Sequence, residues 1–140
     1  MKLIIILGHI ITLGIFWQPS LEYLYKYANT PEKIEWYLSY FHYKIDQSDN
    51  DEWKSPERFI RDGGGDCEDF AIMVYELLKR NGYKPEIYTI WNPNDDRDYG
   101  HALCVYEDKL FTPYKIKAMT LKQYMKEYNY THWRKYDTRT

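Results

Sequence analysis

Cysteine and net positive charge are both scarce in this sequence, and their scarcity excludes several classes of protein. Two cysteines among 140 residues cannot form a disulfide scaffold, and alone they cannot complete a cysteine-rich zinc site. Lysine and arginine number 19 against 21 aspartates and glutamates, and no segment is a basic run, so no nucleic-acid partner is expected. The length corresponds to one domain, which excludes a separate cofactor-binding module. Tyrosine is abundant instead, with 16 residues, and its amphipathic ring suits half-buried surface positions.

Long apolar runs are also scarce, and the one present covers residues 3–17. As a helix this run would span about 22 Å, short of the ~30 Å hydrocarbon core of a membrane. A single lysine precedes it and Gln18-Pro19-Ser20 follows, as in a secretory signal, although a small-x-small cleavage site is not evident. We therefore predict that residues 1–18 are a signal or membrane anchor and that the domain covers 19–140, in a periplasmic, extracellular or membrane-anchored protein. The alternative is a hydrophobic helix packed on the domain or on a partner, in a cytoplasmic or particle-associated protein.

The rest of the chain predicts helices first and strands later. Cap-then-proline signals at Thr30-Pro31 and Ser55-Pro56 begin two helices, and helical spacing of apolar residues extends the first through His42 to Ile45. Asp66 caps a longer helix, which Asn81-Gly82 terminates. Strands are predicted over 86–91, 101–106 and 110–114, loops over 46–52 and 92–100, a last helix from Thr120, and an edge strand within 129–133. This order is typical of an α+β domain.

A cysteine stands where a glycine run meets the start of the longer helix. Cys67 follows Gly63-Gly64-Gly65 and Asp66, so free N–H groups and the helix dipole are expected to lower its pKa from about 8.5. The same N–H groups can hold an oxyanion, and the glycines are expected to let another chain approach the sulfur. The carboxylates of Asp66, Glu68 and Asp69 act in the opposite direction and raise the pKa, unless a cation or hydrogen bonds offset them.

A histidine at the start of a predicted strand is the candidate partner for this thiol. His101 follows Gly100, and a Cys–His pair is the usual arrangement of an activated thiol. Spacing alone leaves a functional and a structural role for His101 equally open. Strand alternation places Cys104 on the face opposite His101, so if His101 faces Cys67, then Cys104 faces away. This argues for Cys104 as a small core residue and against a Cys67–Cys104 disulfide.

These motifs together resemble the bacterial transglutaminase-like cysteine peptidases. The resemblance covers roughly residues 30–115. Its motifs are Trp53-Lys-Ser-Pro-Glu, then Gly-Gly-Asp-Cys-Glu-Asp-Phe-Ala around Cys67, and later Gly100-His101-Ala102. It implies a papain-like, transglutaminase-like fold, in which helices come first and the helix carrying the nucleophile packs on a small antiparallel sheet.

The resemblance also assigns expected roles to individual residues. Cys67 corresponds to the nucleophile and His101 to the general base, while Thr112 stands where the family has an orienting aspartate. A threonine hydroxyl can hold an imidazole tautomer, but it does not stabilise imidazolium as a carboxylate does. No cofactor is required, although Asp66 and Glu68 match a calcium-binding pair of some periplasmic members; the alternative role for Asp66 is N-capping. Trp53 corresponds to a wall of the cleft, or otherwise to a core anchor.

The expected function is therefore cleavage of an amide bond in a protein or peptide by a cysteine peptidase or amidase. The reaction would pass through a thioester on Cys67, and hydrolysis is favoured over cross-linking because no amine-donor module is evident. A rival is a non-catalytic binding or structural module that keeps the fold, which the absent aspartate and the carboxylates around Cys67 favour. A third alternative is a calcium-sensing interaction domain. Membrane attachment would use residues 3–17.

Overall fold

The computed structural model describes residues 18–45, 53–93 and 100–139, and over these ranges the helices mostly precede the strands. The predictions for residues 1–17, for the loop 46–52 and for most of the loop 92–100 lie outside them. Among the helices of these described ranges, none has both the length and the hydrophobicity of a membrane span. The elements are α1 (Leu21–Tyr27), α2 (Pro31–Leu38), β1 (His42–Tyr43), α3 (Pro56–Asp62), β2 (Gly64–Gly65), α4 (Cys67–Arg80), β3 (Glu86–Trp91), β4 (His101–Tyr106), β5 (Lys109–Thr112), β6 (Lys115–Lys117), α5 (Leu121–Glu127) and β7 (His132–Lys135).

Each helix begins at a side chain that accepts a hydrogen bond from a backbone N–H of its first turn. The predicted caps Thr30, Ser55, Asp66 and Thr120 all have this role, and Pro31 and Pro56 follow the first two of them as predicted. Sequence analysis did not predict α1, which Ser20 caps, or the short strands β1, β2 and β6.

The prediction that the helix beginning at Thr30-Pro31 continues to residue 45 is wrong. Helix α2 ends at Leu38, and the chain turns through Tyr40 and Phe41, whose N–H groups donate to Tyr37 and Leu38. Phe41 is still buried, which explains why its spacing resembled a helix. His42 pairs with the glycine run as part of β1 instead of lying on a helix, and Ile45 is 71% exposed.

Five strands form one antiparallel sheet in the order β6-β5-β4-β3-β7, and α4 and α5 carry side chains to its two faces. On the α4 face, Phe70 and Val74 belong to the same core as Ala102, Cys104 and Phe111 of the sheet. On the other face, Tyr124 of α5 packs with Ile90, Leu103 and Leu110. The α+β class, with the cysteine-bearing helix on a small antiparallel sheet, is therefore confirmed.

Candidate active site

The first residue of α4 lies against the first residues of β4. The sulfur of Cys67 accepts a hydrogen bond from the backbone N–H of Ala102 at 3.4 Å, and 7% of Cys67 is exposed. The N-terminus of the 14-residue helix α4 therefore contacts the start of β4, the strand that carries His101.

A capping box fixes the start of α4 and also holds the segment before α3. The Asp66 side chain accepts a hydrogen bond from the N–H of Asp69, and Asp69 accepts from the N–H of Asp66 at 3.1 Å. The other oxygen of Asp69 accepts from the N–H of Lys54 at 2.7 Å. Asp69 is buried, so it connects the Trp53–Lys54 segment to the base of the cysteine helix.

The glycine run makes room for the protein's own chain. Strand β1 lies parallel to β2, with hydrogen bonds from the N–H of His42 to the Gly63 oxygen at 2.9 Å and from the N–H of Lys44 to the Gly65 oxygen at 2.8 Å. A Cβ atom at Gly64 would lie 2.8 Å from the backbone N and C of His42, and one at Gly65 would lie 2.6 Å from the Cβ of Asp69. The expectation that these two glycines leave the sulfur open to another chain is therefore wrong.

Thr112 and Tyr124 hold the imidazole of His101. Nε2 of His101 lies 2.7 Å from Oγ1 of Thr112, which lies 3.3 Å from the Tyr124 hydroxyl. The Tyr124 ring also stacks on the imidazole, with centroids 6.3 Å apart and planes at 24°. Burial lowers the pKa of His101, so the imidazole is neutral at neutral pH. Nε2 is therefore engaged by Thr112, and a role as base toward the thiol would fall to Nδ1.

The expected lowering of the Cys67 pKa is wrong. Burial raises the pKa of the thiol to about 11, and the negative charges of Glu68 and Asp66 add to this rise. The N–H of Ala102 and the hydroxyl of Tyr43 lower it, but by less. The desolvation of the sulfur therefore outweighs the hydrogen bonds around it, and the resting form is a thiol.

Tyr43 reaches the same sulfur from β1. Its ring stacks on Phe70, one turn along α4, with centroids 6.2 Å apart. Its hydroxyl lies close enough to Cys67 for each of the two groups to shift the pKa of the other. Burial, followed by the negative charges that Cys67 and Asp66 would carry, raises the pKa of Tyr43 to about 12, so it stays a neutral hydrogen-bond donor.

Cys104 is fully buried, as expected of a core residue, but its orientation differs from the prediction. Alternation does separate it from His101. However, Cys104 lies on the α4 face and in the same core as Cys67, whereas His101 shares the opposite face with Leu103. His101 is the first residue of β4, and its ring stacks on Tyr124, on the face of the sheet opposite α4. Both cysteines are free thiols.

The remaining predicted site residues surround the start of α4. Trp53 is half-buried, stacks on Tyr136 with centroids 4.2 Å apart, and packs against the main core. Asp66 performs the N-capping that was the alternative to metal binding. Asp66 and Glu68 supply two carboxylates, and among the described residues no three histidine, cysteine or acidic side chains are grouped for a metal ion.

The roles of three residues at this site were not predicted from the sequence. The Asp-x-x-Asp spacing of Asp66 and Asp69 is a capping-box signal that could have identified Asp69. No local signal identifies Tyr43 or Tyr124, because their contacts with Cys67 and Thr112 depend on how separate elements pack.

Comparisons with known proteins agree with this fold. The family model described as a transglutaminase-like domain matches residues 9–139. Calcium-bound LapG of Legionella pneumophila superposes with a TM-score of 0.54 and 28% sequence identity, over 66% of this chain and 57% of that chain. A second LapG structure from the same organism gives 0.51 and 30%, over 61% and 54%. The chain thus spans just over half the length of LapG, and no curated protein matches it significantly. The chain belongs to the transglutaminase-like family, as the resemblance of its motifs indicated.

Proposed function

We propose that this protein is a thiol-dependent amide hydrolase, a cysteine peptidase or amidase, with Cys67 as nucleophile and His101 as general base. The observation that carries the proposal is the meeting of the α4 terminus with the start of β4, where Cys67 accepts a hydrogen bond from the residue after His101. A pair that combines a thiol at a helix terminus with an imidazole oriented by a third group is the usual device for activating a thiol.

The reaction begins with transfer of the Cys67 proton to His101, because the high pKa of the thiol leaves little thiolate at neutral pH. Nδ1 of His101 takes the proton of Cys67 as Sγ attacks the carbonyl carbon of the substrate, and the C–N bond then breaks as the amine leaves with that proton. Water attacks the thioester, and His101 takes the proton of the water and returns it to the sulfur. The products are an amine and a carboxylic acid.

The developing oxyanion needs donors that are already in place. The backbone N–H of Cys67 and the hydroxyl of Tyr43 are candidates, since both lie beside the sulfur. Tyr43 is the upstream donor of this pair, and its high pKa keeps it protonated throughout. Loss of one such donor typically lowers turnover about 100-fold to 1,000-fold.

Calcium is the proposed accessory ion, held by Asp66 and Glu68 together with further oxygen ligands. The similarity to a calcium-bound LapG structure and the pairing of two carboxylates beside the thiol support this proposal. When bound, the ion would supply positive charge that offsets these carboxylates and lowers the pKa of Cys67.

The proposed substrate is a protein or peptide, and we propose that residues 1–18 export the protein or attach it to a membrane. Trp53 is proposed to wall the substrate cleft, since the next residue, Lys54, donates its backbone N–H to Asp69 in the first turn of α4.

The experiment is incubation of the full chain with a peptide library, followed by mass spectrometry of newly formed termini. We expect new termini from the wild type and none from Cys67→Ser or His101→Gln. A fluorescent primary amine added to a parallel reaction separates hydrolysis from transamidation, because it becomes attached to peptides only in the second case. Equal cleavage by wild type and Cys67→Ser would refute Cys67 as the nucleophile. No cleavage by a folded wild type, with and without calcium, would favour the binding-module alternative.

A further inference from the structure

A chain of hydrogen bonds leads from the imidazole of His101 into the core on the α5 side of the sheet. It runs from Nε2 to Oγ1 of Thr112 over 2.7 Å and then to the Tyr124 hydroxyl over 3.3 Å. Thr112 is 8% exposed and Tyr124 is 6% exposed. A buried hydroxyl that lacks a partner is costly, so the direction in which each proton points is constrained by its neighbour.

The chain has two possible polarities, and they place the histidine proton on different nitrogens. In the first, Nε2–H donates to Thr112, and the Thr112 hydroxyl donates to the oxygen of Tyr124. In the second, Tyr124 donates to Thr112, Thr112 donates to Nε2, and the ring proton is on Nδ1. Only the first polarity leaves Nδ1 able to accept the proton of Cys67.

The charged form of the histidine admits only the first polarity. After His101 takes a proton from the thiol, both of its nitrogens are donors, so Thr112 must accept from Nε2. The single proton of the Thr112 hydroxyl then needs another acceptor, and the oxygen of Tyr124 lies within reach.

We infer that Tyr124 is a positioning residue, whose oxygen accepts the Thr112 proton and so fixes the Nε2–H tautomer of His101. This inference rests on the proposed function, because it gives His101 the role of base. It explains how a threonine can stand where the family has an aspartate: Thr112 and Tyr124 together do what one carboxylate oxygen does for the tautomer, without its negative charge.

The placement of Tyr124 suits this role. It is held on α5, whose capping box at Thr120 and Gln123 fixes the first turn, and it packs against Ile90 and Leu103 of the sheet. Its ring also stacks on the imidazole, so the same residue limits the rotation of the ring and orders the protons behind it.

The test is ¹⁵N NMR of the imidazole nitrogens in the full chain, recorded at about pH 8, where the ring is neutral. Tyr124→Phe keeps the ring and removes the oxygen. The matched control is Tyr128→Phe, since the Tyr128 ring packs on that of Tyr124 but its hydroxyl accepts a hydrogen bond from Lys117. We expect the Nε2–H tautomer in the wild type and in the control, and a shift toward Nδ1–H in Tyr124→Phe. The rate of Cys67 alkylation should fall about fivefold in Tyr124→Phe alone, the equivalent of one hydrogen bond.

The outcomes separate this inference from the proposed function. An Nδ1–H tautomer in the wild type, or an unchanged Nε2–H tautomer in Tyr124→Phe, overturns the role of Tyr124. A tautomer that shifts as expected, while His101→Gln leaves Cys67 alkylation unchanged, supports the polarity of the chain and refutes the base role of His101. If Tyr124→Phe does not fold, Thr112→Val and Thr112→Ser replace it. Thr112→Val should shift His101 away from the Nε2–H tautomer, and Thr112→Ser should keep that tautomer.

Discussion

Gly64→Ala is expected to be the most damaging small substitution near the candidate site. Gly64 has φ +142°, a backbone conformation that alanine rarely adopts, and an added methyl group would lie 2.8 Å from the backbone N and C of His42. Because the obstacle is backbone and not a flexible side chain, strand β1 must move away from β2. That displacement would also carry Tyr43 away from Cys67.

The magnitude follows from two contributions. The disfavoured backbone conformation costs about 1–3 kcal/mol. Separating the strands weakens the hydrogen bonds from His42 to Gly63 and from Lys44 to Gly65, each with a net value of about 0.5–1.5 kcal/mol. The expected loss in the free energy of unfolding is therefore about 2–6 kcal/mol, a large part of the total for a domain.

Thermal and urea unfolding of the full chain measure this loss, and Gly82→Ala is the matched control. Gly82 also has a positive φ, of +85°, but nothing lies within 4 Å of its added Cβ, so only the backbone strain of about 1–2 kcal/mol applies. We expect Gly64→Ala to lower the Tm by roughly 6–18 °C and Gly82→Ala by roughly 3–6 °C. Equal effects of the two substitutions would refute the idea that β1 occupies the space beside the glycine run.

Three further predictions concern the charged groups of the site. Asp69→Ala removes the acceptor for the N–H groups of Lys54 and Asp66, and urea unfolding should show that the free energy of unfolding falls by about 2–4 kcal/mol. Asp69→Asn keeps one acceptor oxygen and should lose less. A loss near zero for Asp69→Ala would contradict the connecting role of Asp69. Burial lowers the folded-state pKa of His101, so the unfolded chain binds more protons below about pH 6.5 and the stability of the folded state falls there. The Tm of His101→Gln should therefore decrease less than that of the wild type between pH 7 and pH 5. Parallel decreases in the two proteins would show that His101 does not contribute to this pH dependence. Calcium should raise the Tm of the wild type but not that of Asp66→Asn combined with Glu68→Gln, and an equal rise in both proteins would place the ion elsewhere.

The sequence predicted best what neighbouring residues decide. The predicted helix starts at Thr30, Ser55, Asp66 and Thr120 are correct. In each, the capping side chain accepts a hydrogen bond from an N–H only three residues away. The end of α2 was predicted wrongly because Phe41 is buried and stands at helical spacing, although a turn and not a helix buries it. The spacing of apolar residues cannot distinguish burial by a helix from burial by a turn.

The electrostatics of the site could not be predicted from spacing. The helix terminus and the carboxylates around Cys67 were both visible in the sequence, but the burial that dominates its pKa depends on β4 and β1 packing over the sulfur. The contact of His101 with Thr112 was accessible through family resemblance alone. Its continuation to Tyr124 requires α5 to pack on the sheet face opposite α4, which no local pattern encodes.

The central claim is that His101 activates Cys67, and the most direct test is alkylation of the full chain by iodoacetamide. Labelling at Cys67 and Cys104 is followed separately by mass spectrometry, and the fully buried Cys104 serves as the internal reference for unfolding. We predict that Cys67 of the wild type is alkylated at neutral pH while Cys104 is not, and that His101→Gln slows the reaction at Cys67 by about 100-fold, the usual contribution of a positioned base. An unchanged rate at Cys67 in a folded His101→Gln variant, or a wild-type Cys67 that reacts no faster than Cys104, would contradict the claim.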